Sequence, residues 1–347
     1  MFNLARRHHV PVASVRNQCA RDYLYGQDAE LEKAIQKIEG IGANGIREVL
    51  RRDDAPPEDS PAHIELMTYT VMQFGRTPTA AAEMENLATA MMRRVMSSPG
   101  MLPEEARAHL GEVRMVHNDP ATYSMAMALA SGHGCLDLKC KLIANESPVE
   151  FVISDVGVVL HNQWCEGVRG VGTTGFASSG LQVFMPISPR RLLLFYDGSV
   201  YKVGPKRGRV VTFSDEVSAS ALNQLQCAAT QENVYYTGHE QTRRALDRAS
   251  YGRAPRDTLV RSRRAVEVGG RNELIVAFHE ALPVQLALPW LSIQKRARAV
   301  SLSQRAHSWR RKARALDDLV RGPPERRYGP PPDRDRVFRA VDDDAEG

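Results

Sequence analysis

The hydrophobic pattern of this chain changes period once, near Gly134, and that change constrains the fold more than any single motif does. Up to Gly134 the apolar residues recur every three to four positions, as on one face of a helix. Leu31, Ile35 and Ile38 mark a helix over 28–52, with Asp28 at the N-cap and Glu30 and Glu32 where the helix dipole favours acids. Gly40 and Gly42 predict an interruption before Ile46 and Val49 resume the pattern. Ser60 and Pro61 supply a cap and an N1 proline ahead of Ile64, Met67, Val71 and Phe74, and Pro78 predicts the end of that helix. Met84, Leu87, Met91 and Val95 mark a third helix, Pro103 opens a fourth, and Tyr123 to Ala130 forms a short fifth.

Beyond Gly134 the apolar residues gather in short, branched runs: Leu138 to Ala144, Val149 to Leu160, Leu181 to Ile187, Leu192 to Tyr196, Val200 to Val203 and Arg209 to Phe213. Asp197-Gly198, between two of these runs, predicts a hairpin turn. Asp215 caps one more helix through Val217, Leu222, Leu225 and Ala229, and Val234 to Tyr236 returns as a strand. Helices grouped first and strands second predict an α+β fold: an N-terminal helical region, then a mainly antiparallel β-sheet with a packed helix. The expected organisation is a domain over 12–236, helical in 12–133 and sheet-forming in 134–236, with an extension over 237–290. Residues 291–347 are expected to form a basic amphipathic helix, from Ser292 to Val320, and a disordered, proline-rich tail.

Composition narrows the class. Of 347 residues, 43% are hydrophobic and 25% charged, which supports a packed core and argues against wholesale disorder. No apolar run is long enough to cross a bilayer, and Arg6, Arg7, His8 and His9 are followed by no signal-like apolar segment. Cysteines at 19, 135, 140, 165 and 227 form an odd set without disulfide spacing, so a reduced, cytoplasmic setting is expected. Charge is uneven: residues 1–240 carry 23 Lys or Arg against 27 Asp or Glu, whereas residues 241–328 carry 20 against 8.

Four stretches carry a family likeness. They are Cys19-Ala-Arg-Asp-Tyr-Leu-Tyr-Gly26, running on to Glu32 and Ile38-Glu39-Gly40; Gln73-Phe-Gly-Arg76-Thr77-Pro78; Phe151-Val-Ile-Ser154-Asp155 with His161-Asn162-Gln163 and Phe184-Met-Pro186-Ile-Ser188-Pro189; and Asn223-Gln-Leu-Gln226 with Val234-Tyr235-Tyr236. In order and spacing the chain resembles the domain of unknown function 4238 family over about residues 12–240. The resemblance implies a fold and a set of polar positions, Glu39, Gln73, Arg76, Asn162, Asp197 and Asn223 beside Ser154-Asp155, but no reaction. Where the family usually continues Ser-Asp with Asn-Pro-Val, this chain has Val156-Gly157-Val158.

Ser154-Asp155 ends an apolar run, and strand ends deliver side chains to pockets. Asp155, with Glu39 or Asp197, is therefore a candidate set of catalytic or metal-binding carboxylates, with Ser154, Arg76, Gln73, Asn162 and Asn223 as ligand-binding candidates. The competing reading is an Asx turn at Asp155 and a satisfied buried network elsewhere. Gly170-Val-Gly172-Thr-Thr-Gly175 matches a dinucleotide fingerprint, with Asp197 lying 22 residues beyond. It lacks the preceding buried strand and following helix, so it is read as a loop and no nucleotide cofactor is expected. His133, Cys135 and Cys140 lack the second pair that a zinc site needs. Lys295, Arg296, Arg298, Arg305, Arg310, Arg311 and Lys312, with Trp309, form a basic stretch suited to phosphate, which makes nucleic acid a candidate partner through Lys295–Arg314. Three readings stand open on the sequence: a protein binding a small ligand or divalent metal through its polar cluster, a metal-assisted hydrolase or nuclease, and a nucleic-acid or partner-binding protein acting through the basic arm.

Overall fold

The computed structural model describes residues 1–13, 29–98, 100–248, 258–267, 270–300 and 305. Among these residues, two short strands, β1 (Phe2–Asn3) and β2 (His8–His9), precede five helices: α1 (Ala29–Arg52), α2 (Pro61–Gly75), α3 (Pro78–Met96), α4 (Glu104–Ala108) and α5 (Pro120–Ser131). Strands then dominate: β3 (Lys139–Asn145), β4 (Ile153–Ser154), β5 (Val159–His161), β6 (Gln182–Ser188), β7 (Arg191–Tyr196), β8 (Tyr201–Val203) and β9 (Val210–Phe213). Helix α6 (Glu216–Ala229), β10 (Asn233–Tyr235), α7 (Glu240–Arg248), β11 (Thr258–Glu267), β12 (Gly270–His279) and β13 (Leu291–Ile293) complete the order. This is the expected α+β class. The Cys19–Gly26 stretch, Asp28 and the tail beyond Arg305 lie outside the described residues.

The main sheet has the order β5-β6-β7-β3-β9, antiparallel throughout except for the parallel β3–β9 pair. Its centre is β7, where Leu192, Leu193, Leu194 and Phe195 are all at most 1% exposed. A run apolar at every position, not every second one, belongs to a strand covered on both faces. Leu193 and Phe195 meet Val49, Leu66, Met67 and Val71 of α1 and α2. Leu192, Leu194 and Tyr196 meet Ala219, Leu222 and Leu225 of α6, together with Leu282, Val284, Leu286 and Leu288. The segment 282–288 therefore completes the second face of the sheet. A smaller sheet, ordered β2-β1-β10-β4, lies beside it.

The caps behave as their residue types dictate. Ser60 accepts from His63 N–H, Thr77 from Ala80 N–H and Asp215 from Ser218 N–H. Pro78 opens α3 three residues after α2 closes at Gly75.

Four local expectations are corrected. Gly40 and Gly42 do not interrupt α1, which is continuous. A Cβ on Gly42 would lie 2.2 Å from ring atoms of Tyr69, so this glycine is a notch that lets α2 approach. The run Val149 to Leu160 is not one strand: β4 joins the small sheet and β5 the main one. Asp197-Gly198 does turn the chain, with Val200 and Tyr201 N–H both donating to Asp197 O, but no hairpin follows. Strand β8 leaves β7 and pairs with β13, about ninety positions later in the chain, while the tight hairpin of the main sheet lies at Pro189-Arg190, between β6 and β7. Where the helix over Ser292 to Val320 is expected to start, residues 292–300 form the end of β13 and a 3-10 turn over Lys295–Ala299, and residues 301–304 and 306–320 lie outside the described residues.

The two helical glycines are predicted to respond in opposite directions. Gly40→Ala meets nothing within 4 Å and should stabilise by up to about 1 kcal/mol through helix propensity. Gly42→Ala should destabilise by about 1–3 kcal/mol through overpacking against Tyr69. Urea denaturation midpoints of the two variants measure both.

Candidate functional site

Glu39 on α1 forms an ion pair with Arg76, the C-cap residue of α2, and both side chains are part-exposed. The pair links two helices near solvent. Gln73, one turn earlier on α2, has a buried Nε2 without a hydrogen-bond partner among the described residues.

Ser154, Asp155 and Asn223 are brought together around one extended segment. Asn223 Oδ1 accepts from Val152 N–H at 3.0 Å, and its Nδ2 donates to Glu150 O at 2.8 Å. Gln226 Oε1 accepts from Ser154 N–H at 3.2 Å and from Ser154 Oγ at 2.7 Å. The helix spaces Asn223 and Gln226 by about 4.5 Å along its axis, while every second residue of an extended chain lies about 6.6 Å apart. The longer glutamine side chain bridges the difference, so the two amides of the Asn223-Gln-Leu-Gln226 motif bond the segment as a neighbouring strand would.

Asp155 faces the turn between α6 and β10. Its Oδ1 accepts from Thr230 Oγ1 at 2.6 Å and Gln231 N–H at 2.9 Å, and its Oδ2 from Glu232 N–H at 2.7 Å and Asn233 N–H at 3.0 Å. Four donors on one carboxylate make it an anchor for that turn.

Asn162 and Asp197 share a different hub. Asn162 Nδ2 donates to Thr173 O at 2.7 Å and Ser179 O at 2.8 Å. Asp197 Oδ2 accepts from Gly180 N–H at 2.8 Å, and Oδ1 accepts from Ser199 N–H and Oγ at 2.8 and 2.6 Å. The Tyr201 hydroxyl accepts from Trp164 N–H at 2.8 Å and reaches Gly180 O at 2.8 Å and Asn162 Oδ1 at 3.1 Å. Burial pushes that phenol well above the usual tyrosine range, so it stays a donor at physiological pH. Gly180 adopts φ +76°, and a Cβ there would sit 2.6 Å from Asn162 Oδ1.

The candidate residues therefore fall into separate groups. The hydrogen-bond partners of Asp155, Glu39 and Asp197 have no residue in common. Among the described residues, no three His, Cys, Asp or Glu side chains come together as a metal site would require. Cys135 is buried, and desolvation pushes its thiol up to about 12; Cys140 is raised by the same cause, and Cys165 is pushed up to about 11. Such thiols remain protonated, which suits neither a nucleophile nor a metal ligand. His9 pairs with Asp247 through Nε2 at 2.8 Å and with the Tyr236 hydroxyl through Nδ1 at 2.6 Å. Within Lys295–Arg314, Arg296 donates to Gly198 O at 2.7 Å and Arg305 is buried. Arg310, Arg311, Lys312 and Trp309 lie outside the described residues.

Sequence reasoning missed two features. The first is a pair between buried His161 and half-buried Glu166, Nε2 to Oε1 at 2.8 Å; the same Glu166 oxygen accepts from Leu286 N–H at 2.8 Å, while Gln163 donates to Leu286 O at 2.6 Å. The only sequence signal was the His161-Asn162-Gln163 triplet. The second is a cavity of about 250 Å³ bounded by the start of α3, the Val156–Leu160 stretch, the Gly172–Gly175 loop, the end of α6 and the end of β12. The Gly170–Gly175 run thus forms a loop ahead of β6, and part of it lines this cavity.

An α+β domain whose polar motif residues bond mainly to backbone, with a separate cavity lined largely by apolar residues, is the class that these observations define. The family described as protein of unknown function (DUF4238) matches residues 1–240, and the chain belongs to it. No curated protein and no solved structure matches the chain. Among the described residues no helix is long and apolar enough to cross a membrane.

Two carboxylate variants separate an anchor from a surface pair. Asp155→Ala leaves three backbone N–H groups without their acceptor, while the Thr230 hydroxyl keeps Asn233 O, and should destabilise by about 3 kcal/mol. Glu39→Gln, in a part-exposed pair, should cost less than about 1 kcal/mol. Chemical denaturation monitored by circular dichroism provides both values.

Proposed function

We propose that this protein binds a small, mainly apolar molecule in the cavity between α3, the Val156–Leu160 stretch, the Gly172–Gly175 loop and β12. The observation that carries this reading is the way the motif residues surround that space. Asp155 anchors the turn that follows Ala229, and Val156 is its chain neighbour; both Val156 and Ala229 line the cavity. Asn162 holds Thr173 O, in the loop whose Gly172, Thr174 and Gly175 line it. Arg76 directly precedes Thr77, which caps α3 at the cavity wall. Thr79 bonds Gln231 at 3.1 Å, which ties that wall to the Asp155 turn. His279 reaches the Thr258 hydroxyl through Nδ1 at 3.1 Å and Glu83 O through Nε2 at 3.0 Å, which fastens the β11–β12 hairpin to α3.

Polar residues that hold backbone carry no ligand themselves, but they keep an apolar space from collapsing. Packed interiors contain few voids, and a dry apolar cavity of about 150 Å³ suffices to take up benzene. Val156-Gly157-Val158, which replaces the family's proline-bearing turn, supplies two apolar lining residues, so the departure bears on what fits and not on whether the fold forms.

The test uses indole and 1-hexanol as aromatic and aliphatic probes on the full chain, read by thermal shift and calorimetric titration. Saturable binding of at least one probe is expected, with a stabilisation of about 2.7 kcal/mol at a hundredfold excess over Kd. Ala80→Phe, which fills the cavity from α3, should keep the fold and weaken binding at least tenfold. Absence of saturable binding of both probes, or unchanged binding by the filled variant, refutes the reading.

A further inference from the structure

We propose that Gly134, Asp137, Phe176 and Ser178 build an arginine-recognition site, which this chain fills with its own Arg305. The side chain of Arg305 is nearly buried, and each of its guanidinium nitrogens has an acceptor. Nε donates to the Asp137 carboxylate at 3.0 and 3.3 Å, Nη1 to Ser178 O at 2.6 Å, and Nη2 to Phe176 O at 2.6 Å and to Gly134 O. The backbone joins in, with Arg305 N–H donating to Ala177 O at 2.8 Å. Both charges of the Arg305–Asp137 pair are under 10% exposed.

All the acceptors come from two short segments within the family-matched region, whereas the arginine comes from outside it. The first segment is the 3-10 turn Gly132–Cys135 with its continuation to Asp137, and the second is the loop ahead of β6. The two abut at Gly134, where a Cβ would lie 3.2 Å from Ala177 N and from the Phe176 carbonyl carbon. Cys135 Sγ, itself buried, lies 3.7 Å from Phe176 O. The cradle is thus held closed by its own packing, with three carbonyls and one carboxylate directed at a single group.

The geometry selects a guanidinium over an ammonium. A planar fork with five N–H donors satisfies four acceptors spread around it, whereas a lysine nitrogen is one point with three donors and cannot span them. Without the arginine, the Asp137 carboxylate and three carbonyls would lose the charged donor they share in a desolvated place, so occupancy by an arginine is the stable condition. The site reassigns Arg305 from a solvated basic arm to a buried anchor on the sheet domain.

The experiment is chemical rescue in the full chain. Arg305→Ala should lower Tm by about 5–10 °C, the shift that a loss of a few kcal/mol causes in a domain of this size. Ethylguanidinium at millimolar concentration should restore Tm saturably, and ethylammonium at the same ionic strength should not. Unchanged Tm in Arg305→Ala, equal rescue by both cations or rescue by neither overturns the proposal. If Arg305→Ala does not fold, Arg305→Lys decides: a lowered Tm supports arginine selectivity, and a wild-type Tm overturns it.

Discussion

The hydrogen bonds that Asn223, Gln226 and Asp155 make to the backbone around residues 150–155 and 230–233 are the constraint on which this architecture turns. The segment 150–155 leaves the main sheet to enter the small one, and its donors and acceptors there have few strand partners. A buried backbone group without a partner costs as much as a lost hydrogen bond, so something other than a ladder must satisfy it. Helix α6 does so with side-chain amides, and the Asp155 carboxylate then fixes how the chain leaves α6. The N-terminal strand β1 and the strand β4 pair with β10 on either side, so the small sheet depends on that exit.

The same arrangement recurs elsewhere on this face of the main sheet. Glu166 and Gln163 together bond both backbone groups of Leu286, and His161 holds Glu166 in place at 2.8 Å. The segment 282–288 thereby lays Leu282, Val284, Leu286 and Leu288 on the sheet face without forming a strand. In both places a polar motif residue acts through backbone geometry, and apolar packing follows from where that backbone is held.

How much of this could be read in advance depends on how far apart in sequence the partners lie. The caps at Ser60 and Asp215 were legible because a cap bonds to an amide three residues away. The four-residue apolar run at the centre of β7 was legible as a strand, since burial on both faces removes the polar alternation. Gly42 was misread as a break because the reason for it, the Tyr69 ring, belongs to the next helix. The Asp197-Gly198 hairpin failed for a related reason: β8 finds its partner in β13, which no local turn rule can anticipate. For the candidate site, the family resemblance supplied positions but not roles. Asp155 has the same letters whether it holds a metal or four hydrogen-bond donors, and the donors it meets come from the turn at 230–233, some seventy-five residues on. The cavity was hidden altogether, because it is formed by segments from five parts of the chain.

The central claim is that the polar positions shared with the family are structural pins around an apolar space. Diffraction from xenon-pressurised crystals of the full chain tests it most directly. The account predicts one ordered xenon atom between Ala80, Val158 and Phe278, with the Asp155 carboxylate still bonded to the backbone of 231–233. A cavity that takes up no xenon, together with a cation bridging Asp155 to Glu39 or Asp197, would contradict it.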